Sequence, residues 1–158
     1  MGLYVYGKTT TKYDYSRSYS ALHSVRWLAL LACGCPINFK NGNSTFSWFK
    51  CPLTLGVSNP PTIEEAENFN YYLILAGYKY PNLLLHSDCE GSYTKTGKVL
   101  KTWGWKSGNS IKLFKELQEI KEKVKVSEET KRSLEVLEEL LLVVEDEVKN
   151  GIGHILFR

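Results

Sequence analysis

The sequence predicts an α+β fold: a small mixed sheet covered by about four helices, the last two forming a helical hairpin. Three observations carry this. Short strand-like segments lie at both ends of the chain, with Leu3 and Val5 alternating with tyrosines at one and Ile152–Phe157 at the other. Capped segments with helical periodicity fill much of the rest. The two longest of these are adjacent, over 110–124 and 127–150, with only a short connection between them.

The elements follow in order. Leu3 and Val5 alternate with Tyr4 and Tyr6, the pattern of a strand with one buried face. Residues 7–17 are polar and read as a loop. Ser18 or Ser16 can cap a helix that runs to about Ala32, where Gly34 can close it. Its core stripe is Leu22, Val25, Leu28, Ala29 and Ala32, while Tyr19, His23, Arg26 and Leu30 share another face. Asn41-Gly42-Asn43 is a turn signal before a short strand over Phe46–Phe49. Thr62 and Glu65 form a capping box after Pro60-Pro61 and start a helix that ends at Gly77. A further sheet segment is expected within 92–101, broken by the turn signal Thr96-Gly97. Asn109 or Ser110 caps the third helix, with Ile111, Phe114, Leu117, Ile120 and Val124 as its stripe. Ser127 caps the fourth, whose seam is Leu134, Leu137, Leu141, Val144 and Val148; Gly151 ends it. The last strand is expected to pair with the first.

The chain has 158 residues, a length that fits a single domain over 1–158 with a core of its own. Its longest apolar run, Trp27 to Cys33, is too short to cross a bilayer. With no signal-peptide pattern at the start, the expectation is a soluble, cytoplasmic protein with no membrane partner. A net charge of +3 gives no argument for nucleic acid. The distribution is more telling. Lys8, Lys12, Arg17, Arg26, Lys40 and Lys50 precede residue 63 against the single acid Asp14, and Lys95, Lys98, Lys101 and Lys106 form a second basic stretch.

Chemistry is concentrated in His86-Ser87-Asp88-Cys89-Glu90-Gly91. In an extended segment His86, Asp88 and Glu90 fall on one side, a set that could orient a ligand, move protons or hold a metal. The same run also reads as a tight turn in which Asp88 accepts backbone N–H groups. An EF-hand loop is not met, because His86 takes the place of the first Asp and Gly97 that of the closing Glu. Tyr15, Arg17, Tyr19, His23 and Arg26 form a second constellation, suited to ring stacking and phosphate pairing. Trp103, Trp105 and Lys106 form a third, where an aromatic pair lies among lysines. Trp is more often a core anchor, and Tyr and Arg often serve helix packing. No P-loop, nucleophile elbow or dinucleotide fingerprint is present.

Met1-Gly2-Leu3, Tyr19-Ser20 with His23 and Arg26, His86–Gly91 and the ending Leu156-Phe157-Arg158 together resemble an uncharacterised bacterial and phage family with an HSDCDG motif. Glu90 stands where that family has Asp. The resemblance implies site candidates and a phage or prophage setting, with no assigned activity.

The reading that results is a binder of a small phosphorylated ligand, a nucleotide, with no cofactor and no enzymatic step. In the phage setting it would sequester a host signalling nucleotide as an anti-defence factor. The ligand-binding candidates are Arg17, Tyr19, His23, Arg26, His86, Asp88, Trp103, Trp105 and Lys106. The runner-up is a metal-assisted hydrolase built on His86, Asp88 and Glu90 with His23. A third reading is a protein-interaction module, or a homo-oligomer, that uses the C-terminal hairpin.

Cys33, Cys35, Cys51 and Cys89 match no common zinc spacing. Without a secretory signal they are expected to be reduced thiols. Elemental analysis of the purified protein is expected to find no stoichiometric zinc. Zinc that disappears in a Cys33→Ser, Cys35→Ser variant would overturn this.

Overall fold

The computed structural model describes residues 2–33, 37–40, 43–46, 79–85, 91–97 and 106–158. Five strands make one mixed sheet. They are β1 (Gly2–Gly7), β2 (Asp14–Ser18), β5 (Gly91–Thr94), β6 (Lys106–Asn109) and β7 (Ile155–Phe157), in the order β2-β1-β7-β5-β6. Pairing is antiparallel except between β5 and β6, which are parallel. A separate ribbon pairs β3 (Ile37–Lys40) with β4 (Asn43–Phe46). The helices are α1 (Tyr19–Ala32), α2 (Pro81–Leu84), α3 (Ser110–Lys123) and α4 (Lys131–Asn150), and α3 and α4 pack side by side.

This is the α+β architecture expected, and the first and last strands do pair, with Val5 opposite Phe157. Three details differ. Residues 14–17, read as loop, and Ser18, read as a helix cap, form the edge strand β2, in which Tyr15 alone is buried. The expected strand over 46–49 reaches the structure only at Phe46, in the separate ribbon rather than the main sheet; 47–49 lie outside the described residues. So does the helix expected over 62–76. The helix α2 was not anticipated; Pro81 at its first position has a preset φ that suits a helix start.

The inner face of the sheet carries Leu3, Val5, Tyr15, Tyr93, Ile155 and Phe157, all buried. Against it lie Leu22, Val25 and Leu28 of α1, Leu113, Leu117 and Ile120 of α3, and most of one side of α4. Burial on α4 is wider than the expected seam. Val136, Leu140 and Val143 are buried beside Leu134, Leu137, Leu141 and Val144, because α4 packs on α1 and α3 as well as on β1 and β2. Asn109 caps α3 by accepting the Lys112 N–H at 2.9 Å. Ser127 and Thr130 exchange hydrogen bonds, each side-chain oxygen accepting the other's backbone N–H, and so start the turn that becomes α4. Exposed pairs such as Lys121–Glu138 and Lys149–Glu145 dress the hairpin surface.

Two charged residues of the hairpin do not lie on solvated faces. Glu116 is 8% exposed and Glu147 is fully buried. The Glu147 carboxylate accepts N–H groups from Thr9, Thr10, Gly153 and His154 at 2.6 to 3.3 Å, and the Thr9 hydroxyl as well. It thereby joins the β1–β2 connection to the α4–β7 connection. Gly7 and Gly151 make room for it: a Cβ on Gly7 would lie 2.8 Å from Glu147 Oε1, and one on Gly151 would overlap Oε2.

Burial alone would push the Glu147 carboxyl up, but the bonds from Thr9, Thr10 and His154 outweigh it and hold the pKa below the ordinary range. A folded pKa below the unfolded one stabilises fully above the ordinary carboxylate range. That stabilisation is lost as pH falls through the depressed value. Glu147→Gln turns an amide toward donors and is expected to cost about 1–3 kcal/mol at neutral pH. Urea melts should show the gap from the wild type closing as the pH is lowered into the acid range. A variant as stable as the wild type at pH 7 would refute the role.

Candidate functional site

Among the described candidates, Arg17, Tyr19 and Lys106 lie toward one end of the main sheet. Leu3 pairs with Arg17, and Tyr4 exchanges backbone bonds with Arg158 at 2.7 and 2.8 Å. Gly91 pairs with Phe157 on one side and with Lys106 on the other. Tyr19, two residues after Arg17, opens α1 at this same end. The two candidate segments, 86–90 and 98–105, are not among the described residues, but the residues that follow them are. Gly91 and Lys106 begin adjacent parallel strands.

At the other end of β5 and β6 a hydrogen-bonded hub fixes the flanking elements. The Glu116 carboxylate accepts the backbone N–H groups of Asn82 and Leu83 at 3.1 and 3.0 Å, satisfying the open start of α2. The Asn82 side-chain oxygen accepts the Asn109 N–H at 2.9 Å, and its carbonyl accepts the Tyr93 hydroxyl. The Asn109 amide in turn donates to the Lys95 carbonyl. One residue thus ties α2, β5, the end of β6 and α3 together. Gly108 lets β6 come this close, since a Cβ there would sit 2.6 Å from the Tyr93 ring. Burial pushes the Glu116 carboxyl up, and the Asn82 and Leu83 bonds offset only part of that.

The candidates separate as follows. Arg17 donates from Nε and Nη2 to both Glu139 oxygens at 2.6 Å, a bidentate pair on the surface. Glu139 holds the Arg17 pKa up, and Arg17 draws the Glu139 pKa down. Arg17 is on β2 and Lys106 on β6, four strand spacings or about 19 Å apart across the sheet. His23 lies one turn into α1. Arg26 lies a turn further, fully buried in the core. Register therefore places Lys106 beside Gly91, on the edge strand opposite the one that carries Arg17.

Cys33, at the end of α1, is a half-buried free thiol whose pKa burial raises, with Lys79 and Lys123 acting the other way. Among the described residues no group of three His, Cys, Asp or Glu is placed to hold a metal ion. No helix among them is long and apolar enough to cross a membrane.

Glu116, Asn82 and Asn109 were not among the sequence candidates for this region. The only signal was Asn109 as a helix cap; nothing distinguishes Glu116 from its solvated neighbours in the sequence. Comparison with protein-family models, with curated proteins and with solved structures gives no match to this chain.

Glu116→Ala leaves two N–H groups at the start of α2 without their acceptor. It is expected to cost about 1–3 kcal/mol and to speed amide exchange at Asn82, Leu83 and Asn109 before it does so at β1. Uniform exchange across the molecule would show that the hub has no local role.

Proposed function

We propose that the chain binds a small anionic ligand, a nucleotide, and releases it unchanged. One observation supports this above the others: the parallel pairing of Gly91 with Lys106. In the sequence, His86 and Asp88 shortly precede Gly91, and Trp103 and Trp105 shortly precede Lys106. Those residue types divide the work that nucleotide recognition requires. Indole rings stack on a base, an ammonium group pairs with phosphate, and imidazole and carboxylate orient the sugar or base edge. Tyr19 and His23, at the start of α1, border the same end of the sheet. Lys106 is the main phosphate partner in this reading, because Arg17 is engaged by Glu139 and Arg26 is in the core. In a phage or prophage setting, a binder of this kind withdraws a host signalling nucleotide.

The test is calorimetry against ribonucleoside triphosphates and cyclic mono- and dinucleotides, with chromatography of the same samples afterwards. Binding is expected to weaken with salt. Trp105→Ala should lose about 1–3 kcal/mol, the range for one stacked base. Recovery of intact ligand is expected. Conversion to product that stops with a chelator would replace the binder with a metal-assisted hydrolase on His86, Asp88 and Glu90.

A further inference from the structure

We propose that Asn150-Gly151 is a guarded modification site: when the bonds around Glu147 open, Asn150 deamidates, and the product keeps those bonds from closing again. Asn-Gly is the dipeptide most prone to this reaction, because glycine has no side chain to hinder attack by its own nitrogen. The chain contains it at Asn41-Gly42 and at Asn150-Gly151. The second lies where α4 turns toward β7, directly against the Glu147 carboxylate.

The folded state engages both reacting groups. Asn150 is the last residue of α4 and is exposed, and its Nδ2 donates to Asp146 Oδ1 at 2.8 Å. The Gly151 N–H donates to the Glu147 carbonyl at 3.1 Å. The amide is thus drawn back along the helix, and the nitrogen that must lose its proton shares it with an acceptor. The next residues are pinned as well. The Ile152 N–H donates to the Thr9 hydroxyl at 3.0 Å, and the Gly153 N–H donates to the Glu147 carbonyl at 3.1 Å and to Glu147 Oε2 at 2.9 Å. Deamidation requires the Gly151 nitrogen to swing toward Asn150 Cγ. That swing moves Gly151, Ile152 and Gly153 together and so breaks all of these bonds at once.

Once the turn is open, no oxidant or cofactor is needed. The Gly151 nitrogen gives its proton to solvent and bonds to Asn150 Cγ, and Nδ2 leaves as ammonia. The five-membered succinimide that remains takes up water at one of its two carbonyls. It reopens either to aspartate or to isoaspartate, in which the main chain runs through the former side chain. Neither product fits the closed turn. Aspartate sets a second carboxylate against Asp146 where an amide had donated, at the negative end of the helix dipole. Isoaspartate adds a methylene to the backbone just before Gly151, where there is no slack: even a Cβ on Gly151 would overlap Glu147 Oε2 and Thr9 Oγ1. The turn leads into β7, which sits between β1 and β5, so a change at one amide loosens the middle of the sheet. The device runs one way and records that the turn has opened.

Trypsin cuts after Lys149 and Arg158, so residues 150–158 come away as one peptide. Its amide-to-acid mass gain is read by mass spectrometry. Folded wild type, folded Glu147→Gln, folded Thr9→Val and wild type unfolded in guanidinium chloride are incubated side by side in mildly alkaline buffer. The peptide is expected to convert roughly ten-fold or more slowly in folded wild type than in the unfolded chain, with both variants in between. Thr9→Val removes a single hydroxyl and serves where Glu147→Gln does not fold. Folded wild type that converts as fast as the unfolded chain, or folded variants no faster than wild type, would show that nothing guards the site. Deamidated wild type, separated by ion exchange, is expected to unfold at lower urea than the unmodified protein. Equal midpoints would refute the claim that the product holds the turn open.

Discussion

A single buried carboxylate holds the two ends of this chain in register. Glu147 sits on the last helix, with Thr9 and Thr10 on one side and Gly153 and His154 on the other. An ion taken out of water is tolerated only where fixed dipoles replace its hydration, and backbone N–H groups do so here. The β1–β2 connection and the turn into β7 must therefore adopt the shapes that aim those groups inward. With both turns set, β7 can enter between β1 and β5, and the order of the whole sheet follows. Gly7 and Gly151 belong to the same constraint, because any side chain at either position would compete with the carboxylate for its space.

Glu116 solves a related problem with a different balance. It too is buried and accepts backbone N–H groups, but two donors do not offset desolvation as those around Glu147 do. The opposite directions of the two shifts follow from the number and closeness of the donors. Glu116 fixes the start of a single-turn helix, and through Asn82 it connects that helix to β5 and β6. The elements beside the two candidate segments are thus tied to one another as well as to the core.

Much of the fold was legible because apolar periodicity is a strong signal where one face of an element is buried. Leu22, Val25 and Leu28, and Leu134, Leu137 and Val144, all lie in the core as their spacing implies. The strand β2 was not legible: only Tyr15 of Asp14–Ser18 faces inward, and one aromatic among polar residues makes no period. The strand β6 was missed because Lys106-Ser107-Gly108-Asn109 looks like loop, and it is chosen for pairing by the space Gly108 leaves beside Tyr93. On α3, Leu113 and Glu116 are buried beside Leu117 and Ile120, while Phe114 of the expected stripe packs only partly buried against the core. That arrangement accompanies the bonds from Glu116 to α2, which lies far from it in sequence. Of the candidate site, the sequence supplied residue types but not neighbours. The nearness of the Gly91 and Lys106 strand starts is a property of strand order, and Arg17 and Glu139, 122 residues apart, show how far a partner can be from the residue it engages.

The position of β7 bears on how the molecule is made. A strand of three residues from the far end of the sequence, Ile155–Phe157, occupies the middle of the sheet. During synthesis β1 and β2 emerge first and can pair as a hairpin, but the other edge of β1 stays open until Ile155 to Phe157 leave the ribosome. Until β7 is made, the nascent chain therefore carries an unpaired strand edge on β1, a state prone to pairing with other chains. Closing the sheet then requires a contact between residues as distant as Val5 and Phe157, so topology sets the pace of the final step. A chaperone that shields β1 until β7 emerges would protect the intermediate most exposed to misassembly.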